Sequence, residues 1–116
     1  FWGWLMITVI QVPNYNDSFS RVVLGGKEYL IRFSYNYEGN YWTFGIYDGN
    51  RSPYVAGIKI VPNSPLNFFY LCHDLPEGLF SAVTVQDRIG REDFQNGNAQ
   101  FVFIPLADLK EVVANG

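Results

Sequence analysis

Cys72 and His73 are the only cysteine and the only histidine of the 116-residue chain, and they are adjacent. A thiolate activated by an imidazole is the nucleophile of cysteine hydrolases, so this pair is the first candidate for chemistry. Adjacent strand residues point to opposite faces, so the two side chains would need an irregular backbone to meet. No local signature of a cysteine hydrolase surrounds them. The pair therefore predicts a half-buried loop thiol and imidazole.

Acidic residues offer the second candidate chemistry. Asp87, Glu92 and Asp93 lie within one polar stretch. Glu38 and Asp48 lie at the ends of a predicted hairpin. A glycosidase needs two carboxyl groups held a fixed distance apart on rigid elements, whereas carboxylates in turns usually cap backbone amides. The polar stretch also lacks the residue spacing of a calcium loop. We therefore predict no enzyme, no metal ion and no cofactor.

Tyrosines have the clearest potential for binding. Five of them stand where exposure is expected: Tyr15, Tyr37, Tyr41, Tyr47 and Tyr54. A flat aromatic strip on a small β-domain can stack on sugar rings or on single-stranded bases. Few lysines and arginines neighbour these tyrosines, which disfavours nucleic acid. A small carbohydrate-binding β-module using exposed tyrosines is therefore the alternative function.

The elements that must position these residues are organised around one hairpin, from Tyr29 to Tyr47. With the turn centred on Glu38-Gly39, one face pairs Tyr35 with Trp42, Phe33 with Phe44 and Ile31 with Ile46. The other face pairs Ser34 with Thr43, Arg32 with Gly45 and Asn36 with Tyr41. A slip of one residue would turn the apolar face to water, so we expect a fixed register.

The apolar face of the hairpin predicts the core. Its members are Ile31, Phe33, Tyr35, Trp42, Phe44 and Ile46. Apolar residues of other predicted strands are expected to support it: Val22, Ile58, Ile60, Val83, Phe101 and Phe103.

Turn-forming residues divide the rest of the chain into short strands. The further strands are predicted over Ile7–Val12, Ser18–Leu24, Tyr54–Val61, Leu79–Gln86 and Ala99–Ile104, and Gly25-Gly26 is expected to form a tight turn. Pro62 and Pro65 are expected to leave almost no sheet hydrogen bonding around them. Periodicity does not decide the structure of Leu66–Leu75. Asp87–Asn98 is expected to be an exposed loop with one helical turn.

These elements predict an all-β protein, a single small antiparallel barrel or sandwich of about seven strands. The pattern adds a short C-terminal helix over Leu106–Asn115. Residues 6–116 are expected to form one β-domain. Residues 1–5 are interpreted as a leader or processing remnant, or as an aromatic arm that docks on a neighbour through Trp2 and Trp4.

Composition favours protein partners. Aromatic residues make up 18% and charged residues 16% of the chain, which can therefore carry more apolar surface than one small core needs. The net charge of -3 is spread without a basic stripe, so no nucleic-acid partner is predicted. A single cysteine allows no internal disulfide. The uncharged first ten residues are too short to span a bilayer, and no membrane partner is predicted.

Five motifs then follow one another in a recognisable order. They are GGKEYLIRFSYN, YWTFGIYDGN, YVAGIKIVPNSPL, the connection LPEGLF, and FVFIP. This order resembles the baseplate plug family of contractile-tailed cyanophages, whose relatives occur in prophage tail gene clusters. The matching residues include Tyr29, Arg32, Asn36, Trp42, Asp48-Gly49, Gly57, Pro62, Leu66 and Leu75 to Gly78. The resemblance covers Phe19 to Pro105, and both ends of the chain depart from it.

The resemblance implies a structural component of a phage or prophage tail baseplate, packed at the central hub and plug region with no catalysis. Its partners would be hub and spike proteins, with self-association as a further option. It would be made in the bacterial host cytoplasm and end in the virion.

From the sequence we expect contacts through residues 62–76, the loop 87–98 and both termini. The candidate interface residues are Trp2, Trp4, Phe68, Phe69, Tyr70, Arg91 and Phe94. Serine at positions 68 and 69 is expected to weaken assembly and leave the fold intact. The sequence leaves the oligomeric state and the identity of the partners open.

Overall fold

The computed structural model describes residues 7–66, 68 and 74–105, and within them seven strands form two antiparallel sheets. The strands are β1 (Thr8–Ile10), β2 (Asp17–Leu24), β3 (Lys27–Asn36), β4 (Tyr41–Tyr47), β5 (Pro53–Lys59), β6 (Gly78–Thr84) and β7 (Ala99–Pro105). One sheet has the order β2-β3-β4-β5 and the other β1-β7-β6. The all-β prediction is confirmed: the sheets pack like a sandwich and do not close into a barrel. The helix predicted over 106–115 lies outside the described residues.

Two hairpins set the register of the four-stranded sheet. Gly25 and Gly26 connect β2 to β3 with φ angles of +61° and +81°, which suit glycine in a two-residue hairpin turn. The predicted registers of both hairpins are confirmed. Val22 lies opposite Tyr29 and Ser20 opposite Ile31; Tyr35 lies opposite Trp42, Phe33 opposite Phe44 and Ile31 opposite Ile46. The alternation of side chains therefore directs one face of both hairpins inward.

The core lies between the two sheets and is largely aromatic. On β3 and β4, Ile31, Phe33, Trp42, Phe44 and Ile46 are each at most 2% exposed, and Tyr35 is half-buried against them. The facing sheet contributes Ile10, Phe80, Phe101 and Phe103. Phe101 meets Phe33 and Phe44 edge-on, with ring centroids 5.3 and 4.9 Å apart. Full burial of each such side chain stabilises the fold by roughly 1.5–3 kcal/mol.

The prediction that Val83 supports the core is wrong, because this side chain is 49% exposed. β6 places Phe80, Ala82 and Thr84 towards the core, and the intervening Val83 points outward. Apolar residues occur in both alternating sets of this strand, so its period of two cannot tell which set is buried. The other supporting residues, Val22, Ile58, Ile60, Phe101 and Phe103, are buried or pack partly buried against the core.

Residues 60–66 carry the chain from one sheet to the other. The amide of Ile60 donates to the carbonyl of Trp42 on β4, at 2.9 Å. The amide of Asn63 then donates to Ala82 on β6, and Leu66 exchanges two 2.8 Å hydrogen bonds with Phe80. The expectation that the prolines leave almost no sheet hydrogen bonding is therefore wrong. Proline removes only its own amide donor, and the residues beside it still pair.

On the opposite side of the sandwich, the hydroxyl of Ser20 on β2 donates to the carbonyl of Gln11, just after β1, at 3.0 Å. The two sheets are thus linked at both flanks.

The pairing of β4 with β5 is interrupted at Gly45. Phe44 pairs with Ile58 and Ile46 with Val55, so two residues of β5 face Gly45 across a bulge. A Cβ atom at position 45 would lie 2.9 Å from the Cα of Ala56 and from the carbonyl oxygen of Val55. Both are backbone atoms that cannot rotate away, so the close approach requires glycine.

We expect Gly45→Ala to lower the free energy of unfolding by about 1–3 kcal/mol, because it overpacks the bulge. Gly49→Ala is the matched control: a Cβ there meets nothing within 4 Å, and the change should stay within about 0.5 kcal/mol. Urea denaturation of both variants provides the measurement. Equal stabilities would show that the bulge yields to a methyl group.

Candidate partner interface

The loop between β6 and β7 folds back on itself around Asp93. The Asp93 carboxylate accepts hydrogen bonds from the amide of Gly90 and from the side chains of Gln86 and Asn98. The amides of Gln95 and Asn96 both donate to the carbonyl of Glu92, at 3.0 Å. These bonds form successive turns, and no α-helix lies within residues 74–105. The loop is thus ordered by its own polar groups.

This loop packs on Trp42 of β4, and we call Trp42, Tyr35, Arg91 and Phe94 the Trp42 cluster. The indole Nε1 donates to the carbonyl of Gly90 at 3.1 Å. Phe94 and Tyr35 meet the indole edge-on, with ring centroids 5.7 and 5.2 Å away. The Arg91 guanidinium lies over the indole, 5.3 Å from its centroid. The cluster joins the loop to the four-stranded sheet.

Arg91 also reaches across to the turn before β2. Its Nε donates to the side-chain oxygen of Asn16 at 2.8 Å, and its Nη1 to that of Asn14 at 3.2 Å. The Tyr37 hydroxyl donates to the same Asn16 oxygen at 2.9 Å. Amide oxygens are neutral, and no carboxylate forms an ion pair with Arg91 within the described ranges. The cluster therefore presents a positive charge held in a fixed position.

Two tyrosines at this end of the sandwich face solvent. Tyr15 is 66% and Tyr37 is 59% exposed, and Tyr37 packs edge-on against Tyr35. The other three tyrosines that we expected to be exposed differ: Tyr41 and Tyr54 are half-buried and Tyr47 is buried. The structure thus brings Tyr37 to the surface beside Arg91, with both bonded to Asn16, and exposes Tyr15 in the turn between Asn14 and Asn16.

The candidate interface residues from the sequence lie in different surroundings. Arg91 and Phe94 are half-buried in the Trp42 cluster. Phe68 is only 7% exposed and packs against Phe44 and Phe80 in the core, at ring centroid distances of 5.9 and 6.1 Å. Trp2, Trp4, Phe69 and Tyr70 lie outside the described residues, as do Cys72 and His73.

Sequence reasoning interpreted Asn14 only as a turn residue and Asn16 only as part of a chance glycosylation triplet, and it did not connect either of them with Arg91. Their role depends on contacts with Arg91, 75 or more positions away in the chain.

The described residues gather no group of three or more His, Cys, Asp or Glu side chains that could hold a metal ion. Nor does this part of the chain contain a helix of the length and apolarity needed to cross a membrane. What the arrangement offers chemically is an aromatic and amide-lined surface with a fixed cation.

Comparison with protein families identifies the class: this sandwich is a structural protein of a phage tail baseplate. The chain belongs to the family described as cyanophage baseplate Pam3 plug gp18, whose model matches residues 7–106. The matched region contains all seven strands from β1 to β7. The resemblance predicted from the motifs is thereby confirmed, and this family is not a class of enzymes. Among curated proteins, none matches the chain.

The hydrogen bonds of Asp93 make the stability of the loop depend on pH. The Gly90 amide, helped by the Asn98 and Gln86 side chains, holds the pKa of Asp93 below its ordinary 3.8. A carboxylate with a lowered pKa stabilises the fold fully above its unfolded pKa, and this contribution is lost as the pH falls through the folded pKa. Asp93→Asn should therefore destabilise the protein near neutral pH, and its difference from wild type should shrink below pH 3.8.

Urea denaturation across this pH range measures the effect. Asp87→Asn, which removes an exposed charge from the same loop, is the control. The same pH profile for both variants would assign the effect to net charge instead of to the hydrogen bonds of Asp93.

Phe68 lies in the core, so the prediction that serine at position 68 leaves the fold intact is wrong. Phe68→Ser removes a ring that touches Phe44 and Phe80, so we expect a loss of about 3–5 kcal/mol of unfolding free energy. Val83→Ser, on the outward face of β6, should change stability by less than about 0.5 kcal/mol. Thermal unfolding followed by circular dichroism compares the two. A Phe68→Ser variant as stable as the wild type would contradict the core assignment.

Proposed function

We propose that this protein packs at the central hub and plug region of the tail baseplate, through contacts with hub and spike proteins. It is made in the cytoplasm of the bacterial host and incorporated during virion assembly. The family match over residues 7–106 is the observation that carries this proposal. The fold supports it, because the β-sandwich supplies a rigid scaffold whose loops and faces are available for contacts.

The surface around the Trp42 cluster is the contact site we propose. Tyrosine and arginine are enriched among the residues that dominate protein interfaces, because they combine a large apolar area with directional hydrogen bonds. Tyr15 and Tyr37 are exposed here, and Arg91 is held in place by Trp42 and by Asn16. A preordered side chain loses little conformational entropy on binding. This surface can therefore form the centre of an interface of ordinary size, ~800 Å² per partner.

The test is coexpression with the hub and spike proteins encoded in the same tail gene cluster. We expect the wild-type chain to copurify with them in a fixed ratio. The double variant Tyr15→Ser, Tyr37→Ser should bind at least about tenfold more weakly, because each replaced ring removes apolar contact area. Titration of the purified proteins by calorimetry gives the affinity.

Val83→Ser provides the matched control, since Val83 is also exposed but lies on the outward face of β6, in the other sheet. This variant should bind like the wild type. If the wild-type chain binds neither the hub protein nor the spike protein at micromolar concentrations, the proposed position in the baseplate is refuted. Equal weakening by Val83→Ser would refute the proposed contact site.

A further inference from the structure

The outward face of the four-stranded sheet has a charge opposite to that of the whole chain. Six ionisable residues lie on it or reach over it from the adjoining loop: Arg21, Arg32, Arg51, Lys59, Asp17 and Glu28. Four of the eight basic residues thus accompany two of the eleven acidic ones. This surface, which we call the basic face, keeps a net charge of +1 even when Asp48 of the adjoining loop is counted, on a chain whose total is -3.

Two of these four cations are neutralised locally. Arg32 donates through Nε to a carboxylate oxygen of Asp17 at 2.8 Å, and its guanidinium holds the pKa of Asp17 below the usual range. Arg21 pairs with Glu28 at 3.3 Å. Exposed pairs of this kind contribute little to stability, but they cancel each other's charge. The net positive charge of the basic face therefore comes from Arg51 and Lys59.

Arg51 and Lys59 each lie over an aromatic ring. The Arg51 guanidinium is 4.8 Å from the centroid of Phe19, and the Lys59 ammonium is 4.8 Å from that of Tyr41. Within residues 7–66, 68 and 74–105, neither cation has a carboxylate within ion-pair distance. Stacking on a ring fixes the cation while leaving its N–H groups available to an acceptor. Both side chains are thus positioned and still able to donate.

The backbone conformation of Arg51 is a second observation about this residue. Its φ is +65°, a conformation that costs most side chains about 1–2 kcal/mol and favours glycine or asparagine. The loop holds this conformation because the Asp48 carboxylate accepts from the amides of Asn50 and Ser52, at 2.8 and 2.9 Å. Glycine would satisfy the same turn without that cost. The structure nevertheless has arginine at this position, with its side chain held over Phe19.

We propose that the basic face docks an acidic protein surface, with carboxylates of the partner accepting hydrogen bonds from Arg51 and Lys59. This inference rests on the proposed baseplate function and specifies the chemistry of one partner. The buried Tyr47, whose ring centroid lies 5.2 Å from that of Phe19, supplies a firm apolar floor for such a contact. Nucleic acid is disfavoured, because two free cations beside Asp17 and Glu28 make too few phosphate contacts for strong binding.

The experiment measures the binding of a fluorescent poly-L-glutamate peptide by anisotropy at low ionic strength. The protein is acidic overall, so binding of a polyanion requires a local basic surface. We expect the wild type to bind and the double variant Arg51→Gly, Lys59→Gln to bind at least about tenfold more weakly. Arg88→Gln, which removes one exposed cation from the loop between β6 and β7, should bind within about twofold of the wild type.

Thermal unfolding shows whether the double variant is folded, and Arg51→Gly should be at least as stable as the wild type because it relieves the positive φ. Single-stranded DNA of equal charge serves as a competing probe. Tighter binding of the DNA would overturn the proposal in favour of a phosphate ligand. Self-association of the wild type that the double variant abolishes would overturn it in favour of a second copy.

Failure of this inference can be distinguished from failure of the proposed function. If the wild type copurifies with baseplate proteins and the double variant does so equally well, the acidic docking surface is refuted and the baseplate position stands. If the wild type binds poly-L-glutamate but no baseplate protein, the basic face is supported and the proposed position is refuted.

Discussion

The pairing of β3 with β4 is the interaction on which the rest of the structure depends. It aligns three pairs of large apolar side chains on one face, and a shift of one residue would expose all of them to water. The facing sheet packs its phenylalanines onto these pairs, and the loop between β6 and β7 packs on Trp42 at their end. The opposite face of the same pairing carries Arg32. One register thus fixes the core, the position of Trp42 and the position of Arg32 on the basic face together.

The sequence predicted those features that depend on neighbouring residues or on a period of two. The two glycines before Lys27 and the alternation along β3 and β4 gave the correct register, because turn geometry and the burial pattern favour the same pairing. Val83 was misplaced because β6 has apolar residues on both of its faces. The structure around Leu66 and Phe68 could not be predicted from periodicity, because the burial of both residues depends on Phe80, which is more than ten positions away in the chain.

The candidate site was only partly accessible from the sequence for a related reason. Arg91 and Phe94 were selected as exposed loop residues, but tertiary contacts with Trp42 bring them into a half-buried cluster. Several residues that carry the family resemblance stabilise backbone turns. Asn36 accepts from the amides of Glu38 and Gly39, and Asp48 closes the following loop in the same way. Such residues report the fold of a family, and they do not identify which surface contacts a partner.

The crossing of residues 60–66 between the sheets has a consequence for how the protein unfolds. Ile60 is hydrogen-bonded to β4, and only a few residues later Asn63 and Leu66 are hydrogen-bonded to β6. Neither sheet can separate without breaking bonds that hold the other, and Ser20 imposes the same condition on the opposite flank. We therefore expect the two sheets to form one cooperative unit in amide hydrogen exchange, with the slowest amides of both opening together.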